Sequence, residues 1–140
     1  MDHRELKYPI LIWGKDYVFL AKTPLDFERT PRSQFERLRK QARGRRTRLL
    51  DSSGMLFKVT DKLVISSQHP ILKWLVEFRT APVLADGRKL DLEEYKTHIQ
   101  RAIRARQWGD FDSDFVGELM ANLPSATSYR EALACVPKGM

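Results

Sequence analysis

A single cysteine, Cys135, is all the thiol the chain carries, so no internal disulfide can form and a reducing compartment suits it. No apolar run approaches the roughly 20 residues that cross a bilayer, and the polar opening from Met1 to Lys7 lacks the apolar stretch of a secretory leader. A cytoplasmic protein without membrane attachment is therefore expected. Histidine is scarce as well: His3, His69 and His98 are scattered, and none stands one helical turn from another His or Cys. No serine sits in a nucleophile elbow, and the glycines form neither a phosphate loop nor a dinucleotide fingerprint. These gaps predict a protein that binds and does not catalyse, with no metal and no cofactor.

The remaining chemical candidates have simpler readings. His98 follows Glu94 by one helical turn, a spacing that suits an exposed intrahelical pair as well as a metal. Asp110, Asp112 and Asp114 alternate like the start of a calcium loop, but Gly117 comes too late and Glu118 too early for one, and helix capping accounts for the acids. Cys135, between Ala134 and Val136, reads as a buried, inert thiol.

The 140 residues suffice for one domain with one core, and the composition is that of a folded protein. Residues 1–90 read as strand-rich. Tyr8 to Trp13 and Tyr17 to Ala21 form a hairpin around Gly14-Lys15-Asp16, and Thr47 to Asp51 and Met55 to Thr60 form a second around Ser52-Ser53-Gly54. Between the hairpins, Thr23 to Thr30 reads as a loop, followed by a helix over 31–43 that opens on Pro31 and stops at Gly44. Asp61-Lys62 is expected to turn the chain, and Ile71 to Arg79 fits either periodicity, with strand preferred for its second half. Thr80, Pro82 and Asp86-Gly87 read as sheet connections.

Residues 91–136 read as a helical tail. Asp91 with Glu94 caps a helix with Leu92, Tyr95, Ile99, Ala102 and Ile103 on its apolar face. Gly109 ends it, Asp112 or Ser113 caps a second helix that stops at Pro124, and Ser128 with Glu131 caps a third ahead of Pro137. The expected fold class is α+β: an antiparallel sheet from two or three hairpins, one inserted helix, and three C-terminal helices.

Charge is where the chain departs from the ordinary. Residues 28–48 hold nine of the 25 basic side chains against Glu28 and Glu36 alone. The rest of the chain is balanced, so the entire net charge of +7 resides in that segment. A solvated helix face usually mixes signs, whereas here no acid follows Glu36 through Arg37, Arg39, Lys40, Arg43, Arg45, Arg46 and Arg48. Phe35, Leu38 and Ala42 give this helix one narrow apolar stripe, with Arg37 and Lys40 pointing away and Arg39 and Arg43 at its edge. The expected contact patch is Arg37, Lys40, Arg43, Arg45, Arg46 and Arg48. An acidic protein surface suits it, through charge steering and bidentate arginine pairs. Nucleic acid is the alternative partner, although no helix-turn-helix, zinc-finger or RNP signature accompanies the arginines.

Two stretches carry a resemblance. Tyr8-Pro9-Ile10-Leu11-Ile12 followed by Tyr17-Val18-Phe19-Leu20, and Leu50-Asp51-Ser52-Ser53-Gly54-Met55-Leu56-Phe57, together resemble small bacterial immunity proteins of polymorphic toxin systems, of the contact-dependent inhibition or type VI effector kind. The likeness spans roughly the first half of the chain. It implies a cytoplasmic antitoxin that neutralises a cognate toxin by covering it, without catalysis, and it carries over no site residue. Immunity proteins against nucleases are commonly acidic, so with the basic charge here the resemblance implies either a toxin with an acidic face or contact through the helical tail.

Overall fold

A computed structural model describes residues 3–66, 77–104 and 113–136. Strands β1 (Ile10–Trp13), β2 (Val18–Ala21), β3 (Arg29–Pro31), β4 (Thr47–Leu50), β5 (Met55–Ser66) and β6 (Glu77–Lys89) form one sheet in the order β2-β1-β4-β5-β6-β3. Every pairing is antiparallel, and helices α1 (Pro24–Glu28), α2 (Arg32–Arg43), α3 (Leu92–Arg104), α4 (Ser113–Asn122) and α5 (Tyr129–Ala134) complete an α+β fold.

The side-chain alternation of the strands divides the interior in two. Ile10 and Ile12 of β1, Leu49 of β4 and Phe57 and Val59 of β5 face α1 and α2, packing with Phe27 and Ala42. Leu11 and Trp13, Leu50 and Leu56 face the opposite way, onto Tyr95, Ile99 and Ile103 of α3 and the apolar side chains of α4 and α5. The sheet is thus a wall with the basic helix on one side and the tail helices on the other.

The β1–β2 and β4–β5 hairpins form where turn residues separate alternating apolar runs. Residues 23–30, expected as a loop, instead begin with α1, whose first free N–H groups are met when Thr23 Oγ1 accepts from Asp26 N at 3.3 Å. Pro31 closes β3, so α2 starts at Arg32, one residue later than expected. Asp61-Lys62 makes no turn: β5 runs through it to Ser66, and one extra residue near Thr60 shifts the register against β6.

Thr80, Pro82 and Asp86-Gly87 likewise lie inside β6. Proline is tolerated because β3 pairs only with residues 77–79 of β6, leaving the outer side of Pro82 without a ladder partner to satisfy. At Asp86 the chain adopts φ 53°, and one extra residue is accommodated between the pairs Leu56–Arg88 and Lys58–Ala85. Gly87 is required there by space, since a Cβ would lie 2.5 Å from the Phe57 ring. The turn chemistry read from sequence serves bulges that coil a long strand pair. Residues 71–76 of the ambiguous stretch lie outside the described residues, as do Gly109, Asp112 and Pro137; 77–79 are strand as preferred.

The tail follows its caps. Asp91 Oδ1 accepts from Glu94 N at 2.8 Å, and Ser128 Oγ from Glu131 N at 3.1 Å. The Glu131 carboxylate does not return to Ser128; it accepts from Thr127 N and Oγ1, both at 2.7 Å. Lys96 is buried among these helices and directs Nζ to the Pro124 carbonyl at 3.0 Å. No helix among the described residues is long and apolar enough to cross a membrane.

Candidate functional site

The basic helix owes its orientation to its apolar stripe. Phe35 and Ala42 are buried against the sheet and Leu38 is half-buried, which fixes the opposite face in solvent. Arg39, at the edge, lays its guanidinium over the Phe35 ring at 5.8 Å and reaches Asp61 of β5 at 3.1 Å. Arg43, one turn on, meets the same Asp61 oxygen at 3.1 Å, so one carboxylate serves two guanidinium groups. Desolvation works to raise the Asp61 pKa, but hydrogen bonds from the Lys62 N–H, Arg43 and Arg39 outweigh it and hold the group below its ordinary value.

The β1–β2 turn supplies the second counter-charge. Asp16 Oδ2 lies 2.6 Å from Arg37 Nη1, and Asp16 Oδ1 accepts from Gln41 Nε2 at 2.7 Å. Gln41 Oε1 in turn accepts from Lys15 N at 2.8 Å, tying the turn to the helix. Here too desolvation is outweighed, by the Gln41 and Arg37 bonds and the Arg37 charge, and the Asp16 pKa is lowered. Both members of the Arg37–Asp16 pair are nearly half exposed, at 44% and 46%, which places it among surface pairs of about 0.2–1 kcal/mol. An incoming carboxylate or phosphate can replace Asp16 at small cost.

Lys40, Arg45 and Arg46 are exposed and meet no acid among the described residues. The last two are presented by the end of the helix. Arg45 N donates to Ala42 O at 3.0 Å and Arg46 N to Gln41 O at 3.1 Å, the paired closure that requires a left-handed residue just past the helix. That residue is Arg45, at φ 60°, and not the expected Gly44. Arginine occupies a position that glycine fills without strain.

Of the six expected contact residues, five are exposed: Arg37, Lys40 and Arg43 on α2, and Arg45 and Arg46 in the connection to β4. Arg48 differs from them in being half-buried and in leaving the opposite face of the sheet. It has the parity of Leu50, on the tail side of the sheet, and its charge helps depress the pKa of His98 on α3. Its Nη1 donates to the carbonyls of Arg45 at 2.7 Å and Thr47 at 3.1 Å.

The other candidates have structural partners. His98 packs against Trp13 with ring centroids 6.4 Å apart, and burial, followed by Arg88, Arg101 and Arg48, pushes its pKa down; Glu94 pairs with Arg88 at 3.6 Å. Cys135 Sγ donates to Glu131 O at 3.3 Å, and burial and the Glu131 charge outweigh Lys96 to raise the thiol pKa, favouring the unreactive form. Among the described residues no three His, Cys, Asp or Glu side chains converge as metal ligands. His69, Asp110 and Asp112 lie outside the described residues, as does the Asp114 side chain.

The Asp51-Ser52-Ser53-Gly54 turn is built for shape. Asp51 Oδ1 accepts from Ser53 N at 2.9 Å, Ser53 Oγ at 2.7 Å and Met55 N at 3.0 Å, while Ser52 Oγ donates to Pro9 O at 2.6 Å. Tyr95 Oη closes the far side by donating to Asp51 O at 2.6 Å.

One polar cluster escaped the sequence reading. Glu28, at the end of α1, is 1% exposed and receives His3 Nε2 at 2.8 Å, Arg4 Nε at 3.1 Å and Arg79 Nη2 at 2.6 Å. These partners stand 25, 24 and 51 residues away in sequence, so no local spacing could expose the cluster. The chain matches no protein-family description, no curated protein and no solved structure.

Proposed function

We propose that this protein is a non-catalytic immunity protein that binds an acidic surface of a cognate bacterial toxin and neutralises it by occlusion. One observation carries the choice of surface: on the solvent side of α2 and its C-terminal connection, Lys40, Arg45 and Arg46 meet no counter-charge among the described residues, beside Arg37, Arg39 and Arg43, which share Asp16 and Asp61. Asp16 and Asp61 support a carboxylate-bearing partner, because carboxylates already pair with Arg37, Arg39 and Arg43 in this fold. The toxin assignment itself rests on the sequence resemblance.

Co-expression with the product of a neighbouring toxin gene tests the whole reading. The wild-type chain is expected to restore growth and to co-purify with the toxin, and the triple variant Lys40→Glu, Arg45→Glu, Arg46→Glu to do neither while remaining folded. Wild-type protein that fails to capture or neutralise the toxin overturns the reading. Binding of duplex DNA or structured RNA that falls steeply with salt and vanishes in the same variant replaces it with the nucleic-acid alternative.

A further inference from the structure

Behind the first half of α2, where the helix leans on the β1–β2 hairpin, lies a pocket of about 350 Å³. Its walls are mainly apolar, with Phe19 of β2, Phe27 of α1 and Leu38 of α2 among them. Among the described residues the charged groups lining it all have one sign, Arg29 of β3, Arg37 of α2 and Lys62 of β5, with no carboxylate. Arg29 and Arg37 are exposed, whereas Lys62 is withdrawn to half-burial.

Lys62 is the unusual member. No described residue gives its Nζ a hydrogen bond or an ion-pair partner, and its nearest acid in sequence, Asp61, is engaged by Arg39 and Arg43. Burial without compensation pushes its pKa down to about 8. An ammonium group kept in an apolar recess without a counter-ion is costly unless something anionic supplies one. The volume lies at the small end of the range for small-molecule sites, and the combination of apolar walls with a few convergent polar groups is what such sites present.

We propose that this pocket binds a small organic carboxylate with an apolar body, the carboxylate meeting Lys62 Nζ and the body lying against Phe19, Phe27 and Leu38. Arg29 and Arg37 draw the anion in. The site is separate in chemistry from the solvent face of α2: it selects for apolar bulk as well as for charge, which the open arginine face cannot do.

The probes are octanoate, octanol and octylammonium, three ligands with the same chain and different heads, titrated into the intact protein by calorimetry and by two-dimensional NMR. Octanoate is expected to bind with a stoichiometry of one and to shift the resonances of Phe19, Phe27 and Lys62. Octanol and octylammonium are expected to bind at least about tenfold more weakly, as the loss of one charge-assisted contact implies. Lys62→Met, which removes the charge and keeps the apolar stem, is expected to weaken octanoate by about the same factor without lowering thermal stability. Lys7→Met, at an exposed site outside the pocket, controls for loss of net charge and retains full affinity. Equal affinity for the three probes, undiminished octanoate binding by Lys62→Met, or no octanoate binding by the wild type each overturns the proposal.

Discussion

Glu28 Oε2 and Arg79 Nη2 lie 2.6 Å apart, with the carboxylate almost wholly removed from water. The pair pins the three-residue strand β3 to β6, where Arg29 stands opposite Arg79. Thr80 reinforces the join, with Oγ1 3.2 Å from the Glu28 carbonyl and 3.0 Å from Thr30 Oγ1. Because β3 leads directly into α2, this buried cluster sets where the arginine face begins.

Glu28→Gln is therefore expected to destabilise the fold by roughly 2 kcal/mol, below the range for a fully buried pair because half-buried Arg79 keeps some access to water. Desolvation tends to raise the Glu28 pKa, but the hydrogen bonds from Arg79, His3 and Arg4 prevail and place it below the ordinary 4.5. A carboxylate depressed in the folded state contributes stability that is present above its unfolded pKa and lost as pH falls through the folded one. Urea denaturation from neutral to acid pH should show the gap between wild type and variant closing below about pH 4.5. A gap that persists unchanged in acid contradicts the assignment.

Two glycines should answer oppositely to alanine. At Gly54 the backbone holds φ 92° and a Cβ would sit 2.5 Å from the Tyr129 ring, whose hydroxyl is fixed on Leu90 O at 2.6 Å. Gly54→Ala is expected to cost about 2 kcal/mol or more, from strain at positive φ added to displacement of a packed ring. Gly117 is exposed on α4, and apart from the helix's own backbone no atom of the described residues lies within 4 Å of an added Cβ, so Gly117→Ala should stabilise by about 0.5–1 kcal/mol through helix propensity alone. Thermal melts of the two variants decide both claims.

The contrast between elements shows what was readable in the chain. Helix α3 was legible because its cap, its apolar period and its charge order all agree within 14 residues from Asp91 to Arg104. The β1–β2 hairpin was legible for the same reason, with a turn between two short apolar runs. Helix α1 was not: five residues carry too little periodicity, and its stability comes from Thr23 and from burial of Phe27 and Glu28. Pro82 and Asp86-Gly87 misled because turn residues also suit bulges, and only the partner strand distinguishes the two uses. The charge patch was visible as composition, but its division was not. Arg48 is two residues from Arg46, yet the parity of β4 sends it to the tail side, a choice fixed by where Leu49 and Leu50 find their cores.

Asp61 sits at the centre of the electrostatics of α2, shared by Arg39 and Arg43. Asp61→Asn should release both guanidinium groups and raise the salt needed to elute the protein from heparin. The cost in stability is expected to stay near 1 kcal/mol or below, since Arg43 is well exposed and Arg39 keeps its place on Phe35. Unchanged or earlier elution would show that these arginines do not belong to the proposed contact face.

Arg45 offers the sharpest separation of stability from binding. Its φ of 60° is the left-handed conformation that closes α2, and an L side chain there carries a strain of about 1–2 kcal/mol that glycine lacks. Part of that is offset because glycine has more conformational freedom to lose on folding, so Arg45→Gly is expected to stabilise by about 0.5–1 kcal/mol. The side chain is exposed and meets no acid among the described residues, so no ion pair among them opposes the change. If the arginine serves the proposed partner, the same variant should melt later and hold that partner more weakly. Loss of one charge from the patch is expected to act mainly on the association rate and to flatten its dependence on salt. Surface plasmon resonance at two ionic strengths, beside a thermal melt, reads both effects. A variant more stable than wild type that binds with unaltered rates would remove Arg45 from the contact face and leave the placement of arginine in a glycine position without a purpose.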